Sequence, residues 1–513
     1  MQKKNRLTRT KVITISIAAL ALMGVGVGIA GSNNVYSVSA AAPPQKPSGK
    51  GGANTQSYDY TGKLSATLKV KSAKSVTGKT YTSKTKNHNV VLAESKAKLK
   101  LNKVTLKKYG SSSDSDKSNF YGVNSILLTT GSNAKTYVKN SKLYSKATGA
   151  NGIFASNKGT VYANNDTITT KGSGNSRGLD ATYGGKIVAN KLAISTKGAH
   201  SAAVATDRGG GYVSLTNSTL KTAGTGSPLA YSTGRIEYNK VTGTASGSQI
   251  AGMEGLNTIL INNSKLTSTS NKISGSDPIK NGIIIYQSTS GDADTTTGSA
   301  ARFQAVNSTL TSKITSGTMF YLTNTTANVV LQNTKLNFNS SKANLLTAVG
   351  NTSNNWGTYG ANGAKVNFTG IKQTLKGNVK VDNISSVKLA LLNHTTYTGK
   401  TSITSNSKAK SSAKTKSPLT VNVSKTSKWV VTGNSTVTNL NVAKGGKIVD
   451  KSGKKVTIVN ASGKTLVKGS SKYKITVKGS YSTKFSTSSA NKVQSSKISR
   501  TAFDKYYGTK TSF

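Results

Sequence analysis

Residues 152–170 read GIFASNKGTVYANNDTITT, and this stretch decides the fold. It contains three short β-prone runs separated by Asn and Gly turns. The first is Gly152-Ile153-Phe154-Ala155; in the second Gly159 stands two residues before Val161; in the third Asn165 stands three before Ile168. Each phrase recurs outward from here. The Asn phrase returns at Asn140/Leu143, Asn217/Leu220, Asn263/Leu266, Asn307/Leu310 and Asn333/Leu336, with looser copies at Asn190/Leu192 and Asn239/Val241. From Asn140 to Asn263 the steps are 25, 25, 27, 22 and 24 residues; the next is 44, room for one unit plus an insertion, and the last is 26. The small-residue phrase returns at Gly185/Ile187, Gly211/Val213, Gly234/Ile236, Ala301/Phe303 and Ala327/Val329. The opening phrase returns at Gly178-Leu179, Ala202-Ala203-Val204, Leu229-Ala230-Tyr231 and Gly282-Ile283-Ile284-Ile285.

A unit of roughly 25 residues with three short strands is one coil of a parallel β-helix, an all-β solenoid. One coil cannot bury its own inner face. Stacked coils bury it and satisfy each other's backbone groups. Asn at the same bend of each coil tolerates left-handed geometry, so Asn140, Asn165, Asn217, Asn263, Asn307 and Asn333 are expected to form a ladder. Residues 58–478 would hold roughly 17 coils, a rod on the order of 80 Å long at ~4.8 Å per coil. A β-propeller repeats at roughly 40–45 residues and carries Trp-Asp signals that this chain lacks.

The chain has 513 residues, Lys+Arg 70 against Asp+Glu 15, and no Cys. Without Cys there are no disulfides, thiolate metal sites, Cys nucleophiles or lipoprotein-type anchor. With only His88, His200 and His394, a His-rich metal site is disfavoured. Lys3, Lys4, Arg6, Arg9 and Lys11 precede an apolar run from Val12 to Ala30. Residues 1–42 therefore read as a secretory signal cleaved after Ala40 or Ala42, with an uncleaved anchor as the alternative. Cleavage takes the net charge from +55 to about +50. Residues 43–57 read as a linker, 58–401 as the β-helix, 402–417 as a Ser/Lys-rich loop and 418–478 as last coils or cap. Residues 479–513 read as a basic Lys/Ser/Thr tail, either disordered or in contact with the wall. No sortase-type Leu-Pro motif closes the sequence, so surface retention is expected to be electrostatic.

Ser176-Arg177-Gly178-Leu179-Asp180-Ala181-Thr182-Tyr183-Gly184-Gly185 is similar to phrases of secreted bacterial right-handed parallel β-helix proteins, pectin-lyase-like in fold and often adhesin-like. So are His200-Ser201-Ala202-Ala203-Val204-Ala205-Thr206-Asp207-Arg208-Gly209-Gly210-Gly211, Ser227–Gly234, Tyr286-Gln287-Ser288, Trp356–Gly360 and Trp429–Ser435. The resemblance covers most of 85–480. It implies a right-handed solenoid and a bacterial exterior, and carries no agreed activity.

Seven of the fifteen acidic residues fall between Asp180 and Asp294. Asp180, Asp207, Glu254, Asp292 and Asp294 lie in or just after the opening strand of successive units, beside Tyr183, Arg208, Tyr231, Tyr286 and Gln287. Stacked, they would form one outward band. Carboxylates beside rings and amides suit a sugar, and clustered carboxylates leave Ca²⁺ open. The competing reading is turn chemistry alone. Catalysis has no diagnostic motif. A lyase would need a basic group such as Arg177 or Arg208, and an inverting glycosidase carboxylates roughly 6.5–9.5 Å apart. His200 reads as a turn residue. The sequence thus favours a secreted, wall-associated adhesin or carbohydrate-binding protein over a polysaccharide lyase or glycoside hydrolase. Its expected partner is a polysaccharide or an anionic wall polymer such as teichoic acid. No nucleic-acid-reading motif is present, and no membrane contact is expected once the signal is removed.

Overall fold

The computed structural model describes residues 57–288, 293, 300–353, 356–511 and 513. The expected signal (1–42), nearly all of the linker (43–57), Asp292 and Asp294 lie outside the described residues. Within them the chain is a right-handed parallel β-helix. The first sheet has 13 strands, from Ala66–Val70 to Thr401–Thr404; the second has 15, from Ala73–Thr77 to Tyr481–Ser482. The third has 10, from Thr80–Ser83 to Lys335–Asn337, and a four-stranded sheet from Thr374–Lys376 to Lys447–Asp450 continues the sequence of third strands. No helix among the described residues is long and apolar enough to cross a membrane.

Strands in threes from Ala66 to Asp450 make fourteen coils rather than about 17. The difference is chain spent in insertions: residues 109–126 with the helix Ser115–Tyr121, and segments 269–280, 349–364 and 405–418. Second-sheet pairing runs straight across the last of these, from Ser386–Leu392 to Leu419–Val423 and on to Asn439–Val442. Beyond Asp450, the hairpin Thr457–Asn460/Thr465–Val467 and the strand Lys474–Val477 close that end.

Alternate residues point inward and stack in register. On the third sheet Leu143, Ile168, Ile194 and Leu220 form one buried column. Gly243 interrupts it before Leu266, and a Cβ there would lie 2.8 Å from Leu229 Cδ1, so the Leu229 side chain fills the gap. Further along, Tyr397 stacks on Trp429 at 5.8 Å, and the indole donates to Gly399 O at 2.9 Å. The turn glycines answer to close approach: at Gly185 a Cβ would sit 2.1 Å from the Ala155 carbonyl oxygen of the previous coil.

The bend into the third sheet is left-handed in every copy of the Asn phrase, with φ between 46° and 61° at Asn140, Asn165, Asn217, Asn263, Asn307 and Asn333. Asn165 donates to Asn140 Oδ1 at 2.7 Å and Asn333 to Asn307 Oδ1 at 2.9 Å. The looser copies sit one residue off. Asn190 and Asn239 end their strands, and Lys191 and Lys240 take the bend with φ of 54° and 55°. The ladder still passes through them, because Asn217 and Asn263 donate to Asn190 Oδ1 and Asn239 Oδ1. A long side chain strains a left-handed position more than Asn does. Lys240→Asn is therefore expected to stabilise the fold by about 0.5–1 kcal/mol, seen as a higher melting temperature. A lower one would show that Lys240 makes a compensating contact.

Residues 488–511 do not trail into solvent. They run back over the second sheet, along its middle outward column. Asn491 Nδ2 donates to Thr369 Oγ1 (2.9 Å) and Gln494 N to Gln304 Oε1 (2.7 Å). Ile498 N donates to the Glu237 carboxylate (2.9 and 3.1 Å). Arg500 donates to Ser214 and Ala189 carbonyls and to Thr216 Oγ1. The helix Thr501–Tyr507 then buries Phe503 against Tyr162 and Val188. The expected tail is thus a strap. Its Ser and Thr content reads as solvated, but its backbone finds donors and acceptors on the sheet.

Candidate functional site

The outward column of the first sheet carries Phe154, Asp180, Ala205, Tyr231, Gly252, Ile284 and Tyr321 in register. Parallel pairing therefore stacks the coils that hold the expected band. The structure divides its described members into three groups.

In the first group Arg177 bridges two carboxylates, Nη1 to Asp180 Oδ2 and Nη2 to Asp207 Oδ2, both at 2.8 Å. All three side chains are buried. In the second, Glu254 is enclosed by hydroxyls: Tyr231 donates at 2.7 Å, Tyr286 at 3.2 Å, and Ser288 also donates. Gln287 sits beside it and gives its amide to the Ser288 and Ala293 carbonyls. Burial first, then the Glu254 charge, holds both tyrosine hydroxyls well above their ordinary range. In the third group, at the other margin, Tyr183 stacks on Tyr121 at 5.5 Å and the Arg208 guanidinium lies 3.8 Å from the centre of the Phe120 ring.

The band is gathered as expected but it is not an exposed strip. Asp180, Tyr183, Asp207, Glu254, Tyr286 and Gln287 are all buried, and Tyr231 is half-buried. Two insertions and the first described residues cover it. Tyr58 packs edge-on against Tyr121 and Tyr183, and Asp59 accepts from Tyr121 at 2.6 Å. What stays open is a recess of ≈ 40 Å³ lined by Arg177, His200, Tyr231, Gln249, Asp277 and Tyr286. That volume suits water; ligand pockets run to roughly 300 Å³ and more. Among the described residues no group of three or more His, Cys, Asp or Glu is placed to hold a metal ion.

Sequence reasoning gave Arg177 no binding role, yet it organises the first group. A signal was present. Only five arginines follow residue 42, against a background of lysine: Arg177, Arg208, Arg235, Arg302 and Arg500. Each is an anchor: Arg177 and Arg208 lie under the covering loops, Arg235 and Arg302 hold the strap from the second sheet, and Arg500 grips the sheet from the strap. A planar fork suits such work better than an ammonium.

The buried acids make stability depend on pH. Burial pushes Asp166 up to about 8 and Asp277 up to about 7. It also raises Asp180 and Asp207 against the pull of Arg177. Unfolded carboxyls ionise near pH 4, so the folded chain keeps protons that the unfolded chain has released. Stability present at pH 4 is lost as pH rises toward 7–8, by up to about 1.4 kcal/mol per pH unit for each such group. Melting temperature is expected to be higher at pH 5 than at pH 8; equal values would mean that these carboxyls ionise as in the unfolded chain, and the reverse order that the fold favours their charged forms.

No protein-family model, curated protein or solved structure matches the chain at a significant level, so its functional reading rests on the residues themselves.

Proposed function

We propose that the protein is an exported, cell-wall-associated bacterial β-helix, an adhesin or carbohydrate-binding rod, held on anionic wall polymers such as teichoic acid by its lysine-covered outer faces. One observation carries this reading: carboxylates are spent internally while lysines project outward. Asp180 and Asp207 serve Arg177, Glu237 serves Arg235 and the strap, and Glu254 serves the tyrosines. Asp114 and Asp504 bond local backbone, and Glu94 pairs with Lys69 and Lys71. The exterior is left with lysines in register. Lys98 lies directly opposite Lys135, and Lys428 opposite Lys447. Lys146, Lys171 and Lys197 follow one another on successive coils and are exposed. Like charges directly opposite each other cost stability, and a surface serving solubility alone would intersperse the signs. A polyanion along the rod relieves that repulsion.

The test is sedimentation of the protein with purified walls. Walls carrying their phosphate polymer should retain it, and walls chemically stripped of that polymer should release most of it. Equal retention on stripped walls would point to a specific receptor instead.

A further inference from the structure

The strap and the second sheet border an open recess of ≈ 420 Å³, about ten times the volume of the one on the first sheet. We propose that it is a binding site for a phosphate group of a sugar- or polyol-phosphate polymer, held by Lys158, Lys186 and Arg235 with the adjoining sugar or polyol unit against Tyr212. The assignment rests on the reading of the rod as a binder of anionic wall polymer and narrows it to one place.

The floor is an outward column of the second sheet in which Thr160, Lys186, Tyr212 and Arg235 stand in register on four successive coils. At ~4.8 Å per coil, Lys186 and Arg235 flank Tyr212 about 10 Å apart. Tyr212 is 46% exposed, unusual for a ring of this size, and it lines the recess. Lys158, from the turn before Thr160, adds a third cation. The far wall is residues 496–499 of the strap, pinned where Arg235 Nη2 donates to Ser496 O (2.6 Å) and Ile498 N to Glu237. The recess therefore exists only with the strap docked.

Its four cations, Lys158, Lys186, Arg235 and Lys497, have a single buried carboxylate, Glu237, among them. The lining contains no carboxylate. Glu237, beneath it, is fully buried and committed to Arg235 Nε at 2.7 Å and to Ile498 N. Lys186 and Lys497 are both pushed down by burial, as ammonium groups are when they give up water without a full counter-charge. An anion seated between Lys158, Lys186 and Arg235 supplies that charge, and Arg235 offers planar donors suited to phosphate oxygens. A sugar-phosphate or polyol-phosphate fits better than single-stranded nucleic acid. There is one exposed ring at the recess, whereas a nucleic-acid strand takes successive rings along a groove.

The experiment is calorimetric titration of the full protein with a short oligo(glycerol phosphate), alongside a neutral dextran oligomer and an oligothymidylate of equal charge. Lys158→Gln with Lys186→Gln should weaken oligo(glycerol phosphate) binding at least tenfold. Lys221→Gln with Lys265→Gln, the same charge loss on the third sheet, should weaken it less than twofold. Tyr212→Ala should weaken it severalfold, and Lys158→Arg with Lys186→Arg should largely restore it. Melting curves confirm that each variant is folded. Equal effects from the two Gln pairs would overturn the site while leaving the electrostatic reading intact. Absence of binding by the unmodified protein at low salt would overturn both. Tighter binding of oligothymidylate would overturn the assignment to a sugar or polyol phosphate.

Discussion

Arg177→Ala should cost about 3–5 kcal/mol of stability. The guanidinium is 7% exposed and sits 2.8 Å from a carboxylate on either side. Removing it leaves Asp180 and Asp207 buried on neighbouring coils without their cation. Both carboxyls would then hold their protons to still higher pH, so the loss should be greater at pH 8 than at pH 5. Arg177→Lys keeps one charge but cannot reach both carboxylates with a rigid fork, and should fall between the two. The urea midpoint reads this directly. A change below about 1 kcal/mol would mean that the covering loops open readily and the carboxylates rehydrate.

Deleting residues 488–513 should destabilise the rod by about 5 kcal/mol or more, since loss of Phe503 burial alone is worth about 3–5 kcal/mol. Phe503 is fully buried against Tyr162 and Val188, and Tyr507 donates to the Val138 and Tyr162 carbonyls at 3.0 and 2.8 Å. The deletion uncovers that stripe and strips Ile498 N from a Glu237 carboxylate with no exposure of its own. The shortened protein should melt earlier and bind a hydrophobic dye near the coils of Tyr137 and Tyr162. An unchanged melting curve would mean that the strap only rests on the sheet.

The solenoid was legible in the chain because its period is its structure: each Asn phrase marks one bend, and stacking brings those bends into one row. Where the phrase is loose, the sequence misleads by one residue. At 190 and 239 the Asn precedes the bend, and a lysine carries the positive φ. The coil number was overestimated because insertions share the Ser, Thr and Gly content of the coils. The band was legible as a gathering of scarce acids and aromatics. Its burial was not, since the covering loops 109–126 and 269–280 show no periodicity. The strap was the least legible element. Its partners lie as far as 369 residues away, and many of them are backbone atoms that carry no sequence signal. Scarce arginine among abundant lysine was the one clue: Arg235, Arg302 and Arg500 all bond between the strap and the sheet.

The proposed role requires that lysines on the outside of a rigid rod, freed from internal carboxylates, hold the protein to a phosphate polymer. The affinity of the full protein for long poly(glycerol phosphate), measured across a salt series, reads that requirement without intermediaries. Ion release predicts a straight fall of log affinity with log salt, at least about tenfold between about 50 and 200 mM. An affinity that stays level across that range would contradict the role.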